Sequence, residues 1–118
     1  MTTTENDRRI VYVELAVTDI AKTKEFYRAV FGYQFQDYGP DYTCFFDGRI
    51  GGGFYKGEPK HGTVLVVFQA TDLEAMERTV RNAGGTIVKP IFAFPGGRRF
   101  HFTDPSGNEL AICSEEGA

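Results

Sequence analysis

The sequence predicts an α+β protein in which one strand–helix–strand–strand–strand unit is written twice. Three observations carry that expectation. A shift of 53 residues superposes Thr18-Asp19-Ile20 on Thr71-Asp72-Leu73, Arg28 on Arg81 and Gly32 on Gly85. Each Thr-Asp pair opens a stretch with helical apolar spacing, and each glycine closes it. Each of those stretches follows one strand-like run and precedes three more.

The first strand is expected over residues 10–17, where apolar and polar residues alternate. Asp19 then stands where a side-chain oxygen caps free N–H groups, and Ile20, Tyr27, Val30 and Phe31 make one apolar stripe. Gly32 sits where a left-handed C-terminal cap is wanted. Strands follow over 33–38, 42–47 and 50–56, parted by Gly39-Pro40-Asp41 and Asp47-Gly48. The segment 57–62, containing Pro59, reads as a linker.

The second unit repeats the plan. A strand over 64–70 leads to Asp72, with Thr71 and Glu74 spaced as a capping box. Leu73, Met76, Val80 and Ala83 form the helical stripe, and Gly85 is the expected C-terminal cap. Strands over 86–94, 99–103 and 109–113 are separated by Pro95-Gly96-Gly97 and by the turn Asp104-Pro105-Ser106-Gly107-Asn108. The expectation is a single domain over 1–118, with repeat one at about 10–56 and repeat two at about 63–114. Eight strands can curl around a cavity with both helices outside.

Composition narrows the function. The chain has 118 residues, 42% hydrophobic and 25% charged, which is ordinary globular usage. A formal charge of −3 with no long Lys/Arg block gives no electrostatic case for nucleic acid or an anionic membrane. No apolar run reaches the length of a membrane span. The start, MTTTENDRR, lacks the apolar core of a signal peptide, and Cys44 and Cys113 lack metal-like spacing. A cytoplasmic protein with reduced thiols is expected.

The strand ending Val17-Thr18-Asp19-Ile20, the KEFYRAVFGY helix exit, the second Thr71-Asp72-Leu73 with Ala83-Gly84-Gly85, and the closing FTDPSGN hairpin together resemble the vicinal oxygen chelate superfamily. That group contains glyoxalases, extradiol dioxygenases, fosfomycin-resistance enzymes and bleomycin-resistance proteins. The resemblance runs from about residue 10 to residue 113 and implies the glyoxalase/bleomycin-resistance fold, an eight-stranded, partly closed sheet around a cavity. In metal-dependent members, His, Gln or Glu ligands project inward from the first and last strand of each repeat. The matching positions here are Tyr12, Gly52, Leu65 and Ala111. Gly, Leu and Ala offer no side-chain donor, and a tyrosine is a poor ligand for such a site. The expectation is therefore no metal and no cofactor.

By strand parity Glu14 shares a face with Tyr12, and Glu109 and Cys113 share one with Ala111. The resemblance points Arg99 and His101 inward and leaves Phe100 and Phe102 to the helix-facing core. Positions matching Glu14 and His101 line the pocket in fosfomycin-type relatives. The expected ligand-binding set is Tyr12, Glu14, Gly52, Leu65, Arg99, His101, Glu109 and Ala111. Glu14 and His101 are also the candidate acid–base pair, set against plainer roles as an ion-pair partner and a hydrogen-bonded pocket wall. Glu14, His101 and Glu109 are also the types for a displaced metal site. The run Gly51-Gly52-Gly53 is expected to leave room for a flat ligand, or to allow close packing of the halves. The preferred reading is a metal-free binder of a small, partly aromatic molecule, acting as a homodimer. The alternative is a lyase, isomerase or dioxygenase-like enzyme of the same superfamily.

Overall fold

The computed structural model describes residues 6–62 and 64–115, so the expected start of the second repeat at residue 63 lies outside the described residues. The elements run β1 (Tyr12–Val17), α1 (Ile20–Phe31), β2 (Gln36–Asp37), β3 (Tyr42–Phe46), β4 (Gly51–Lys56), β5 (Val66–Gln69), α2 (Leu73–Asn82), β6 (Thr86–Phe94), β7 (Gly97–Thr103) and β8 (Glu109–Glu115). They form two four-stranded sheets ordered β1-β4-β3-β2 and β5-β8-β7-β6. In each sheet the first strand pairs in parallel with the last, and the other pairs are antiparallel. This is the α+β, twice-repeated architecture expected, with the sheets not joined into a closed barrel.

The helices start and stop for local reasons. Asp19 accepts from Lys22 N–H at 2.9 Å and Asp72 accepts from Ala75 N–H at 3.0 Å, so both aspartates cap. The Thr71–Glu74 capping box does not form: Asp72 and not Thr71 is the N-cap, and Glu74 pairs with Arg98 on β7. Gly32 ends α1 in the left-handed region at φ 72°. In α2 the left-handed residue is Gly84, at φ 101°, and not Gly85. Gly85 is needed for closeness: a Cβ there would stand 2.7 Å from Val80 and 3.0 Å from Phe26.

One core lies between the helices and the helix-facing sides of both sheets. It contains Val17, Phe26, Tyr27 and Phe54 from the first repeat and Leu73, Val80, Phe100, Phe102, Leu110 and Ile112 from the second. Phe26 and Phe102 meet across the repeats with ring centroids 6.1 Å apart. Burying large aromatics here supplies the main drive to fold. Strand β2 is only a stub, because Tyr33 and Phe35 turn into this core and pack on Phe45. Among the described residues no helix is long and apolar enough to cross a membrane.

The closing turn fastens one repeat to the other. Asp104 accepts from the N–H groups of Ser106 and Asn108 and from the Tyr27 hydroxyl on α1. Asn108 donates to the Ala16 carbonyl at 2.7 Å, and Thr18 N–H donates to the Ser106 hydroxyl at 2.9 Å. The bonds of Tyr27, Ala16 and Thr18 tie α1 and the end of β1 to the β7–β8 hairpin, while those to Ser106 and Asn108 N–H shape the turn itself.

Candidate functional site

The parallel register of β1 and β4 sets Tyr12 beside Gly51, Val13 beside Gly52 and Glu14 beside Gly53. Register partners point to the same face. Tyr12, Glu14, Gly51 and Gly53 therefore share the face turned away from α1, and Gly52 points the other way. The expected grouping of Gly52 with Tyr12 is thus off by one residue. Its hydrogen atoms lie under the Phe45 ring, which a Cβ would strike. Gly51 lies under the Tyr12 ring and Gly53 under the Tyr12 and Tyr42 hydroxyls. Each glycine makes room for one of the protein's own aromatic rings, so the run does not leave open space for a ligand.

Those two tyrosines build a polar chain on the open face of the first sheet. Tyr42 donates to Glu14 Oε2 at 2.9 Å, so the 2.5 Å contact between the hydroxyls is donated by Tyr12. Desolvation first, and the bonds to Tyr12 and Glu14 next, push the Tyr42 phenol well above its usual range, which keeps its proton on the bond to Glu14. Among the described residues Glu14 is thus held by a phenol and not by an arginine or backbone N–H. Tyr42 was not expected here; its place opening β3, opposite Tyr55, was the available signal.

On the second sheet β7 and β8 are antiparallel, with Arg99 opposite Cys113, His101 opposite Ala111 and Thr103 opposite Glu109. Phe100 and Phe102 point into the core and are fully buried. His101 is only 3% exposed, and its Nδ1 lies 2.8 Å from Glu109 Oε2. An ionised carboxylate only accepts, so Nδ1 carries the proton and Nε2 is left as the free position. Nε2 is buried and has no partner among the described residues. Ala111, also fully buried, lies on β8 between the His101 backbone position and the Glu109 carboxylate. A small side chain there lets the imidazole reach diagonally across the ladder.

Arg98 and Arg99 diverge with the pleat. Arg98 pairs with Glu74 on α2, which holds the Glu74 carboxyl below its usual range. Arg99 turns to the opposite face and has no carboxylate partner among the described residues. Its guanidinium lies 5.5 Å from the centre of the Phe92 ring and 5.2 Å from that of Phe94.

Between the edges of β1 and β5 runs a cleft of about 610 Å³, flanked by the segment Lys60–Gly62. Val13, Leu15, Val64 and Leu65 give it apolar walls, while Glu14 and Glu109 enter from opposite repeats. Its size falls within the usual range for small-molecule sites. Of the expected set, Glu14, Leu65 and Glu109 line this cleft. Tyr12 joins it through Glu14, and His101 through Glu109. Arg99 lies further along β7, Ala111 is covered, and Gly52 is on the core side.

Metal ligation does not fit these residues. Leu65 and Ala111 carry no donor, Gly51 to Gly53 carry none, and the Tyr12 phenol is committed to Tyr42. Among the described residues no three His, Cys, Asp or Glu side chains come together as a metal-holding group. Glu14, His101 and Glu109 therefore do not assemble the displaced site.

Two open four-stranded sheets related by a repeat, helices outside and a cleft between the repeats define a protein of the glyoxalase fold class. The sequence profile of the Glyoxalase/Bleomycin resistance protein/Dioxygenase superfamily matches residues 9–112, and the chain belongs to that family. Among solved structures it is similar to a glyoxalase/bleomycin resistance protein/dioxygenase family enzyme from Burkholderia phytofirmans PsJN, with TM-score 0.79 and 20% identity over 88% of this chain and 96% of that one. A fosfomycin resistance protein from Listeria monocytogenes, complexed with Mn(II) and 1S,2S-dihydroxypropylphosphonic acid, gives 0.78 and 17%, covering 90% of this chain and 89% of that one. Lactoylglutathione lyase from Agrobacterium tumefaciens gives 0.72 and 20%, with coverage of 92% and 85%. Identities this low speak for the fold alone. No curated protein matches the sequence.

Proposed function

We propose that the protein binds a small, partly aromatic molecule in the cleft between its repeats, without a metal. The observation that carries this reading is the cleft itself, with apolar walls from both repeats and the carboxylates of Glu14 and Glu109 at its sides. Apolar walls supply affinity and a few polar groups supply direction. Screening aromatic fragments by thermal shift tests it: hits should stabilise the protein with chelator present and fail on Leu65→Trp, which fills the cleft. A screen with no such hit would sink the reading.

A second copy of the chain is the proposed partner. The sheet faces turned away from the helices leave Tyr12 43% and Phe46 66% exposed, with Tyr55, Val67 and Val88 also uncovered. The chain spreads over 41 × 36 × 26 Å with a radius of gyration of 14.6 Å, against about 13.5 Å for a compact domain of its length. A symmetric pairing covers both faces at once. The two free cysteines suit a reducing, cytoplasmic setting.

One observation favours a second reading, acid–base chemistry at His101. Glu109 fixes Nδ1–H and leaves Nε2 free, which is the arrangement of an oriented base. Deuterium uptake from solvent at the carbon next to a bound ligand's carbonyl, lost in His101→Gln, would move the function from binding to catalysis.

A further inference from the structure

Along one face of the β7–β8 hairpin, Arg99, His101 and Glu109 stand in graded order. Arg99 is opposite Cys113, His101 opposite Ala111, and Glu109 opposite Thr103, so the three occupy successive steps of one ladder. Each step spans about 6.5–7 Å. The cation is at one end, the carboxylate at the other, and the imidazole between them.

Two nitrogens on this face are buried without a partner among the described residues, Arg99 Nε and His101 Nε2. A buried polar atom left unsatisfied is costly, and the cost calls for an explanation. The Phe92 ring ties the two together, with its centroid 5.8 Å from that of His101 and 5.5 Å from the Arg99 guanidinium carbon. Phe92 and Phe94 flank the guanidinium, with ring centres 5.5 and 5.2 Å from its carbon. That arrangement prepares the fork for a planar anion without committing it to a carboxylate of the chain.

We propose that Arg99, His101 and Glu109 form a recognition strip for a planar ligand with an oxyanion at one end and a hydrogen-bond donor at the other. The oxyanion takes the Arg99 fork in a charge-assisted, bidentate pair. The donor, a hydroxyl or N–H, satisfies His101 Nε2, which accepts when the neutral imidazole gives its one proton, at Nδ1, to Glu109. Glu109 repels an anion, so it sets the ligand's direction as well as the tautomer. The strip begins at Glu109, which also lines the cleft, and the inference rests on the reading of that cleft as a ligand site. A para-substituted benzene ring spans a length comparable to one ladder step.

The test uses the full chain in chelator with 4-hydroxybenzoate, 4-hydroxyphenylphosphonate and the neutral methyl 4-hydroxybenzoate, followed by calorimetry. The acids should bind at least about tenfold more tightly than the ester, the factor expected from one charge-assisted pair. Which acid binds more tightly distinguishes a carboxylate from a phosphonate ligand. Arg99→Gln should bring the acids to the level of the ester and leave the ester unchanged. If Arg99→Gln does not fold, Arg99→Lys keeps the charge but loses the fork, and should weaken the acids part-way. Imidazole nitrogen resonances should show Nδ1–H in the free protein and a moved Nε2 signal with either acid. Equal binding of acids and ester, acids unaffected at Arg99, or the opposite tautomer would overturn the strip. Ester binding alone, or binding of none of the probes, overturns the strip, while the cleft reading stands or falls separately on the aromatic-fragment screen.

Discussion

Tyr27 on α1 donates its hydroxyl to the Asp104 carboxylate at 2.9 Å, joining residues 77 positions apart in the chain. Both groups are buried, and Asp104 also caps its own turn. This bond is where the helix of one repeat is tied to the closing hairpin of the other. Tyr27→Phe should therefore cost about 1–2 kcal/mol, the loss of one buried bond to a charged acceptor. Asp104→Ala should cost more, about 3 kcal/mol or above, because it strands several buried donors. Urea unfolding measures both; equal and negligible effects would show that the repeats are held by apolar packing alone.

The glycines of β4 and β7 give a second prediction. Gly97 faces the Ser114 carbonyl so closely that a Cβ would overlap backbone, which cannot rotate away. Gly97→Ala should destabilise more than Gly53→Ala, whose obstruction is the ends of the Tyr12 and Tyr42 side chains. About 1–3 kcal/mol is the usual scale of such overpacking. Gly53→Ala should also displace Tyr42 from Glu14, seen as a tyrosine ring shift by NMR. The reverse order of stabilities would contradict the packing described.

Alkaline pH supplies a third test. Burial pushes the Tyr33 phenol up to about 12, and burial with the Asp104 charge raises Tyr27 well above its usual value. A group whose folded pKa is raised adds stability that is complete below the unfolded value, near 10, and lost as pH rises through the folded one. Unfolding free energy should thus fall between about pH 10 and pH 12. Tyrosinate absorbance should appear together with unfolding. Full titration of all tyrosines near pH 10 with the fold intact would be inconsistent with these burials.

Much of the fold could be read from sequence because its signals are local. Asp19, Asp72 and Gly32 act at the helix ends where their chemistry places them, and the strand expected over 86–94 is β6, Thr86–Phe94. The misses come from places where local signals vanish. Gly51-Gly52-Gly53 has no side chains and so no alternation from which the facing of Gly52 could be read. Gly84 and Gly85 are adjacent, and only the backbone shows which is left-handed. Phe26 and Thr23 are buried on α1 beside the expected stripe, which widens the helix's covered face beyond Ile20, Tyr27, Val30 and Phe31. The knitting bonds of Asp104 and Asn108 depend on partners in the other repeat, which no local pattern records. At the candidate site, residue types were legible, but the His101–Glu109 bond and the Tyr12–Tyr42–Glu14 chain required the sheet register.

Restoring a carboxylate is a fourth test. Ala111→Glu replaces the small residue beside His101 with a ligand-type side chain. No tight divalent metal site should result, because Leu65 and the β4 glycines still provide no donors. The glutamate should instead crowd His101 away from Glu109, read as a change of imidazole tautomer. Retention of one metal per chain after dialysis would contradict the donor argument.

The central claim is a ligand site between the repeats that works without a metal. The most direct measurement is calorimetric titration of the best-stabilising aromatic fragment into chelator-dialysed protein and into Leu65→Trp. The account predicts saturable binding to the wild-type chain in chelator and none to Leu65→Trp, whose fold is intact by circular dichroism. Binding that appears only after a divalent metal is added back, or that survives Leu65→Trp unchanged, would contradict it.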